Sequence, residues 1–348
     1  LNGRNRHRAE GQLSLSSLTG QHGVMQVRMD LRDEDGLLNK GRVWLQADDI
    51  DVKPWLGRWM QDNIALKSAR FSLEGWMTIE KGDVASGDVW LKKGGASWQG
   101  DDEVHHLSVD NLTAHLSHDK QSWGFYIPDT RIAIDDKPWP SGALAMAWIP
   151  AQDVGGDDHQ RSDELRIRAS NLTLSGLSGL QPFADKLAPS LGELWRTTQP
   201  SGKINLLALD IPLQATEKTR FQAQWSDLAW KQWKLLPGAE HFSGSLNGSV
   251  EHGELRARMT QALMPYTGVF RAPLEIAAGE ATLSWVKNDK GFMLDGRDID
   301  VQATGVRARG GFRYLQPQGD DPWLGILAGI STNDGGQAWR YFPENLMG

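Results

Sequence analysis

Residues 71–79 read FSLEGWMTI. Phe71, Leu73, Met77 and Ile79 fall on one side of an extended chain, and Ser72, Glu74 and Thr78 on the other. Side chains of a strand alternate between faces with a period of two, so this stretch predicts a strand with one apolar and one wet face. The pattern recurs. In 242–250, FSGSLNGSV, Phe242, Leu246 and Val250 alternate with Ser243, Ser245, Asn247 and Ser249. In 255–259, Leu255, Ala257 and Met259 oppose Arg256 and Arg258. Segments 43–47, 107–116, 165–174, 204–213, 221–230 and 283–301 read the same way. Many short runs of this kind, separated by clusters of Gly, Asp and Asn, predict an all-β chain of antiparallel strands.

Helical patterns are few. In 181–197, QPFADKLAPSLGELWRT, a stripe runs through Phe183, Leu187, Leu191, Leu194 and Trp195, with Pro189 expected to break it into two short turns. Residues 54–61 (PWLGRWMQ) and 322–330 (PWLGILAGI) each open with proline, which suits a first helical turn, and both read as short helices. These elements are plugs or caps and do not amount to a helical layer.

A repeat organises the chain. An Asp or Asn precedes a Leu or Ile, with another apolar residue two positions on: Asp49-Ile50 with Val52, Asn111-Leu112 with Ala114, Asn171-Leu172 with Leu174, Asp227-Leu228 with Trp230, and Asp298-Ile299 with Val301. Successive Leu or Ile positions lie 62, 60, 56 and 71 residues apart. Three instances follow a strand that starts with glycine: GALAMAW (142–148), GKINLLAL (202–209) and GEATLSW (279–285). A short polar side chain at such a place bonds local backbone or accommodates a bulge. The expected units are 1–60, 61–120, 121–180, 181–235, 236–310 and 311–348, the last opening a further unit with a short helix. One such unit cannot bury its apolar face alone, so the units stack side by side. With so few helices to cover them, the apolar faces of curling strands line a trough.

Composition agrees with a thin architecture. Only 39% of the 348 residues are hydrophobic and the mean hydropathy is −0.47, below the usual globular share and suited to strands with one wet face. The net charge is −7 without a basic stripe, so nucleic acid is excluded as a partner. Cysteine is absent, which removes thiolate metal sites, thiol nucleophiles and disulfides. That absence fits an oxidising compartment without requiring one. The most apolar charge-free stretch, 138–152, has 15 residues and three prolines, too short for a spanning helix of about 20. The chain begins with Leu1 and shows no signal-peptide pattern, so it reads as a section of a longer protein.

No catalytic constellation emerges. His105, His106, His115 and His118 lie within 14 residues, but neither an HExxH pattern nor a cysteine supports a metal site, and they read as strand histidines. The strings GGASWQG and FSGSLNGS do not match a nucleophile elbow. Phosphate-binding glycine loops are missing. Acidic pairs such as Asp101-Asp102 and Asp320-Asp321 sit in turn-like sequence, where Asp is favoured for backbone hydrogen bonding. The 16 tryptophans, against 4 Tyr and 9 Phe, read first as fillers of a sheet face. Trp225 shares a face with Phe221 and Ala223, whereas Trp44 and Trp76 alternate with polar neighbours and are expected on the wet face. An exposed indole row for glycan binding is the alternative.

The strings SLSSLTGQHGVMQVRMDLRD (14–33), WPSGALAMAWIP (139–150), SDELRIRASNLTL (162–174), TQPSGKINLLALDIPLQ (198–214), KQWKLLPGAEHFSGSLNG (231–248) and RARGGFRYLQPQGDDPWLGILAGIS (307–331), with the glycine-started strands and the Asp/Asn-Leu signature, resemble AsmA-like proteins. The likeness spans essentially the whole chain. It implies a Gram-negative envelope protein, anchored in the inner membrane by a helix outside this stretch. It implies a long periplasmic β-groove that carries phospholipid acyl chains toward the outer membrane, without catalytic motif, cofactor or metal. The implied partners are phospholipids, the rest of the same longer chain and envelope proteins at either membrane.

The fold expected is therefore all-β: an elongated, curved antiparallel sheet forming a hydrophobic groove, half-open like a taco, from repeats of about 60 residues with a few short helices. Alternation nominates Val43, Leu45, Phe71, Leu73, Met77, Ile79, Leu107, Val109, Leu165, Ile167, Leu206, Phe221, Ala223, Leu246, Leu255, Leu283 and Leu294 as groove lining. Each buried methylene is worth about 0.8 kcal/mol, so a chain of about 16 carbons gains on the order of 10 kcal/mol. Two other readings are a β-rich scaffold whose apolar faces pair as a closed sandwich, and the glycan-binding module.

Overall fold

The computed structural model describes residues 5–17, 20–34, 37–55, 65–100, 103–119, 122–139, 141–151, 163–182, 185, 189–234, 237–268, 270, 272–332 and 336. They form 19 antiparallel strands in a sheet that is not closed into a barrel, with a few short helical turns. The chain divides into two compact units, Leu1–Ala169 with Gly176–Pro189, and Ser170–Ser175 with Ser190–Gly348.

The first unit begins with β1 (Arg6–Ser17), β2 (Gly20–Glu34), β3 (Leu37–Asp51), β4 (Leu66–Glu80), β5 (Asp83–Gln99), β6 (Val104–Asp119) and β7 (Ser122–Ile127). Each pairs antiparallel with the next. The short strands β8 (Ile132–Ile134) and β9 (Lys137–Pro138) add to the other half of β6. Strand β10 (Leu144–Ile149) pairs with β7 and then with residues 164–169 of β11 (Glu164–Thr173). Lys81 and Gly82, at φ 54° and 82°, close the β4–β5 hairpin with the left-handed pair of residues that matches strand twist.

The second unit is an unbroken meander: β12 (Ser201–Pro212), β13 (Arg220–Trp230), β14 (Ala239–Ser249), β15 (His252–Met264), β16 (Leu274–Asn288), β17 (Gly291–Ala303), β18 (Val306–Pro317) and β19 (Trp323–Thr332). The helix α1 (Pro189–Thr198) precedes it, and the Lys231 N–H ties its end to the Thr198 carbonyl at 2.7 Å.

The helical expectations need correction. Residues 181, 182 and 185 are helical, and Pro189 opens the separate helix α1, as its fixed φ and missing N–H permit. Leu174–Leu180 is a 3-10 turn, and residues 183, 184 and 186–188 lie outside the described residues. Of 54–61, only 54 and 55 are described, within the turn Lys53–Trp55. The stretch 322–330 is not a helix at all. Residues 323–330 belong to β19, whose ten residues stand in register with Val306–Leu315 of β18. A helix of eight or nine residues is marginal by itself, whereas the ladder satisfies the backbone along the whole strand.

The repeat motif proves to be a backbone device. Asp49, Asn111, Asn171, Asp227 and Asp298 all adopt the left-handed conformation, with φ between 50° and 59°, which Asn and Asp tolerate better than other residues with a Cβ. At three of them two residues face one across the ladder. Asp48 and Asp49 lie opposite Ser72, Ser226 and Asp227 opposite Ser243, and Arg297 and Asp298 opposite Gly311. These are β-bulges, which bend a strand and increase its twist. The Ser72 hydroxyl accepts the Asp49 N–H at 2.9 Å, and the Ser243 hydroxyl accepts the Asp227 N–H at 3.1 Å. Gly202, the second residue of β12, has φ +107°, and a Cβ there would lie 2.4 Å from the Asp227 carbonyl oxygen. This glycine and the bulge are thus one packing unit.

The wet faces carry ion pairs: Arg6 and Arg8 on Asp30, Arg70 on Asp49, Lys92 on Glu74, Arg313 on Asp295, and Arg307 and Arg309 on Asp300. Arg307, followed by Arg309, pulls the Asp300 carboxyl down from its ordinary 3.8 to about 2, and Arg6 with Arg8 does the same to Asp30. Exposed pairs of this kind contribute little stability each.

Replacing Asp298 with valine, which resists positive φ, should destabilise the second unit by about 1–2 kcal/mol. Asp298→Gly should be close to neutral. Urea unfolding midpoints of the two variants check this. For the ion pairs, a lowered folded pKa means that their contribution is present above the ordinary value and lost as pH falls through about 2. The Asp300 carboxyl carbon should titrate near pH 2 by NMR, and removing both Arg307 and Arg309 as glutamines should return it toward 3.8.

Candidate functional site: the apolar face of the sheet

Residues directly opposite each other in an antiparallel pair share a face, so the register can be followed as rows across each unit. In the first unit one row runs Met29, Val43, Met77, Gly87, Leu116, Phe125, Met146, Ile167 from β2 to β11. Beside it lie Val27, Leu45, Gly75, Val89, Ala114, and then Met25, Ala47, Leu73, Leu91, Leu112. Past the bulge, Ile50 and Phe71 continue to Gly94, Val109 and Ile132, and Ala96 to Leu107 and Ile134. Ile79 stands opposite Gly41 and Val84, and Leu165 opposite Trp148. All ten residues nominated in this unit therefore lie on one face.

In the second unit one row reads Leu207, Ala223, Leu246, Leu255, Leu283, Gly296, Phe312, Ile326. Its neighbour reads Leu209, Phe221, Gly248, Gly253, Trp285, Leu294, Tyr314, Leu324. Six of the seven nominated residues sit in these rows. Leu206 does not. The register shifts between Ile204 and Leu206, which sets Leu206 opposite Gln224 on the wet face and brings Leu207 and Leu209 into the apolar rows. Sequence reasoning missed these two leucines. The adjacent Leu206-Leu207 doublet, ambiguous in a period of two, was the available sign.

The face is apolar but, among the described residues, not covered. Val43, Leu73, Ile167, Leu246, Leu255 and Leu283 are only half-buried. A sandwich core of two packed sheets would bury them. Buried residues gather in patches, with Leu66, Ala69 and Trp98 in one cluster, Val109, Leu112, Ala114 and Ile127 in another, and in the second unit Ala239, Met259, Ala262 and Ile276, while others such as Ala47, Ile50 and Ile134 are buried singly. Above this last cluster lies a cavity of about 330 Å³ whose walls include Trp230, Phe242, Leu255, Leu283 and Val301. Side chains from adjacent strands converge around it, so the face is concave there.

Indoles finish the walls. Trp98 donates to the Gly179 carbonyl (3.0 Å), Trp139 to Gly176 (3.2 Å), Trp230 to Pro237 (2.9 Å) and Trp285 to Ser249 (3.1 Å). An indole offers apolar area together with a donor for a backbone carbonyl, which accounts for part of the tryptophan excess. Trp225, on the apolar face as expected, stacks on Phe242 at 5.7 Å, and its buried N–H has no acceptor among the described residues. On the wet face, Trp44 donates to Glu74 and lies under Arg28 at 4.8 Å, and Trp90 donates to Asn111 and lies under Lys92 at 5.1 Å. The protein's own cations thus occupy these two rings, which a free glycan platform would need open.

The histidines disperse. His105 pairs with Asp135 at 2.8 Å, His115 with Asp88 at 2.5 Å, and His118 stacks on Trp123 at 4.1 Å. Burial pushes the Asp135 carboxyl up, yet the His106 N–H and the His105 ring together hold it below its ordinary value. Among the described residues no three ligating side chains converge.

The family model described as "YhdP protein" matches residues 1–348. The chain is 76% identical over its full length to the intermembrane phospholipid transporter YhdP of Escherichia coli (strain K12), of which it spans 28%. No solved structure matches.

Proposed function

The chain belongs to the YhdP family, and from that premise we propose that it forms a section of a phospholipid conduit. Acyl chains lie along the apolar rows, and headgroups stay in water at the rim. The role is binding and passage, with no bond made or broken. The observation that carries this reading is the unbroken, half-exposed apolar face in each unit, which has apolar area to offer and, among the described residues, no second layer upon it. Soluble proteins rarely leave such a surface idle.

The five left-handed Asp and Asn residues support repeats of about 60 residues as the building unit, because each marks the same backbone event at similar spacing. Their bending supports a sheet curled into a groove. Rows of similar apolar residues give a lipid nearly equal binding at successive stations, so that no station traps it. We place this section in the periplasm, between the inner and outer membranes, continuous with the rest of a longer chain and in contact with envelope proteins at its ends. No helix of the described residues is long and apolar enough to cross a membrane.

Native mass spectrometry of the purified chain should show co-purified phospholipid. Leu73→Asp and Leu255→Asp should each reduce that occupancy several-fold, whereas Leu206→Asp, on the wet face, should leave it unchanged. A folded, lipid-free wild-type protein would contradict the proposal.

A further inference from the structure

The apolar rows of the second unit end, at the β16–β17 hairpin, in a cation. Along β16, Leu283, Trp285 and Lys287 point to the same face, and Lys287 stands opposite Phe292, which stands opposite Gln316. Together with Val250 and Leu294, these residues surround a hollow of about 550 Å³ that is open to solvent at the hairpin. The floor is apolar, since Trp285 turns its N–H away to the Ser249 carbonyl. The polar groups are the Lys287 ammonium and the Gln316 amide, whose oxygen accepts the Tyr314 hydroxyl at 2.9 Å. With that oxygen engaged, the amide N–H groups are what Gln316 has left to offer. No ion pair among the described residues includes Lys287, although the wet faces pair many of their basic residues.

We infer that Lys287, with Gln316 beside it, is a headgroup seat that binds the phosphate of a phospholipid whose acyl chain runs inward over Trp285 and Leu294. This rests on the conduit reading and adds the contact that distinguishes a phospholipid from a neutral lipid. An ammonium is a strong point-charge partner for phosphate, and its long stem lies along apolar surface while the charge reaches water. A lipid set with its tail along the Trp285 row would bring its phosphate to the rim, where Lys287 stands. Free phosphate has the anion but nothing to place on the apolar floor.

The test compares binding of dipalmitoyl phosphatidic acid with that of diacylglycerol bearing the same chains, using the 348-residue chain and native mass spectrometry. Wild type should prefer the phosphate-bearing lipid by about tenfold, as expected for one hydrogen bond to a charged group. Lys287→Gln should bring the two lipids near parity while diacylglycerol binding stays as it was. Lys290→Gln, on the same hairpin but bordering the hollow of the opposite face, should keep the preference. Inorganic phosphate should displace neither lipid. A preference that survives Lys287→Gln, or no preference in wild type, would overturn the assignment and leave the conduit standing. Displacement by phosphate alone would reassign the lysine to free anion. Binding of neither lipid would overturn the conduit and the seat together.

Discussion

Everything in this molecule depends on parity. A sheet keeps one apolar face only if each strand returns its side chains to the same side after every irregularity, because a slip of one residue inverts the whole strand. The Asp and Asn bulges meet that condition by placing two polar residues between apolar ones, as in Trp225-Ser226-Asp227-Leu228, where Trp225 and Leu228 both stay inward opposite Gly244 and Phe242. The left-handed residue absorbs the extra length, and a serine on the next strand takes its N–H. The strand bends without exchanging its faces. A bend of this kind, repeated along the chain, lets a sheet curl while its inner surface stays uniformly apolar.

The same logic explains what could be read in advance. Alternation from Phe71 to Ile79 and from Phe242 to Val250 needs only side-chain period, so the faces of these strands were legible, as was the wet-face position of Trp44 and Trp76. Leu206 was not, because the shift at Asn205 depends on how β13 is paired, and pairing is a long-range property. Residues 322–330 carry a proline start and enough leucine for either a helix or a strand, and the tertiary partner β18 decides between them. The repeat was visible as a string, but its cause, a positive φ, becomes visible only in the backbone.

A half-exposed apolar face also sets the energetics. The backbone is satisfied by its ladders, and residues such as Val43, Leu73, Leu255 and Leu283 stay half-buried beside buried clusters such as Leu66, Ala69 and Trp98. Much of the apolar area therefore remains available to a ligand. Holding an acyl chain requires no specific polar contact, since about 0.8 kcal/mol per methylene accumulates along the row. Specificity, where it exists, must come from the rim. Small residues in the rows, such as Gly244, Ala257 and Ala281, leave depth that larger side chains would fill.

Photocrosslinking along the rows tests the central claim most directly. A benzophenone side chain would be placed singly at Leu45, Leu116, Leu246 and Leu283 on the apolar face, and at Gln46, Ser117, Ser245 and Thr282 on the wet face, with irradiation in Gram-negative cells. The account predicts phospholipid adducts at all four apolar-face positions, in both units, and none at their wet-face neighbours. Adducts spread equally over both faces, or confined to one unit, would contradict a continuous conduit.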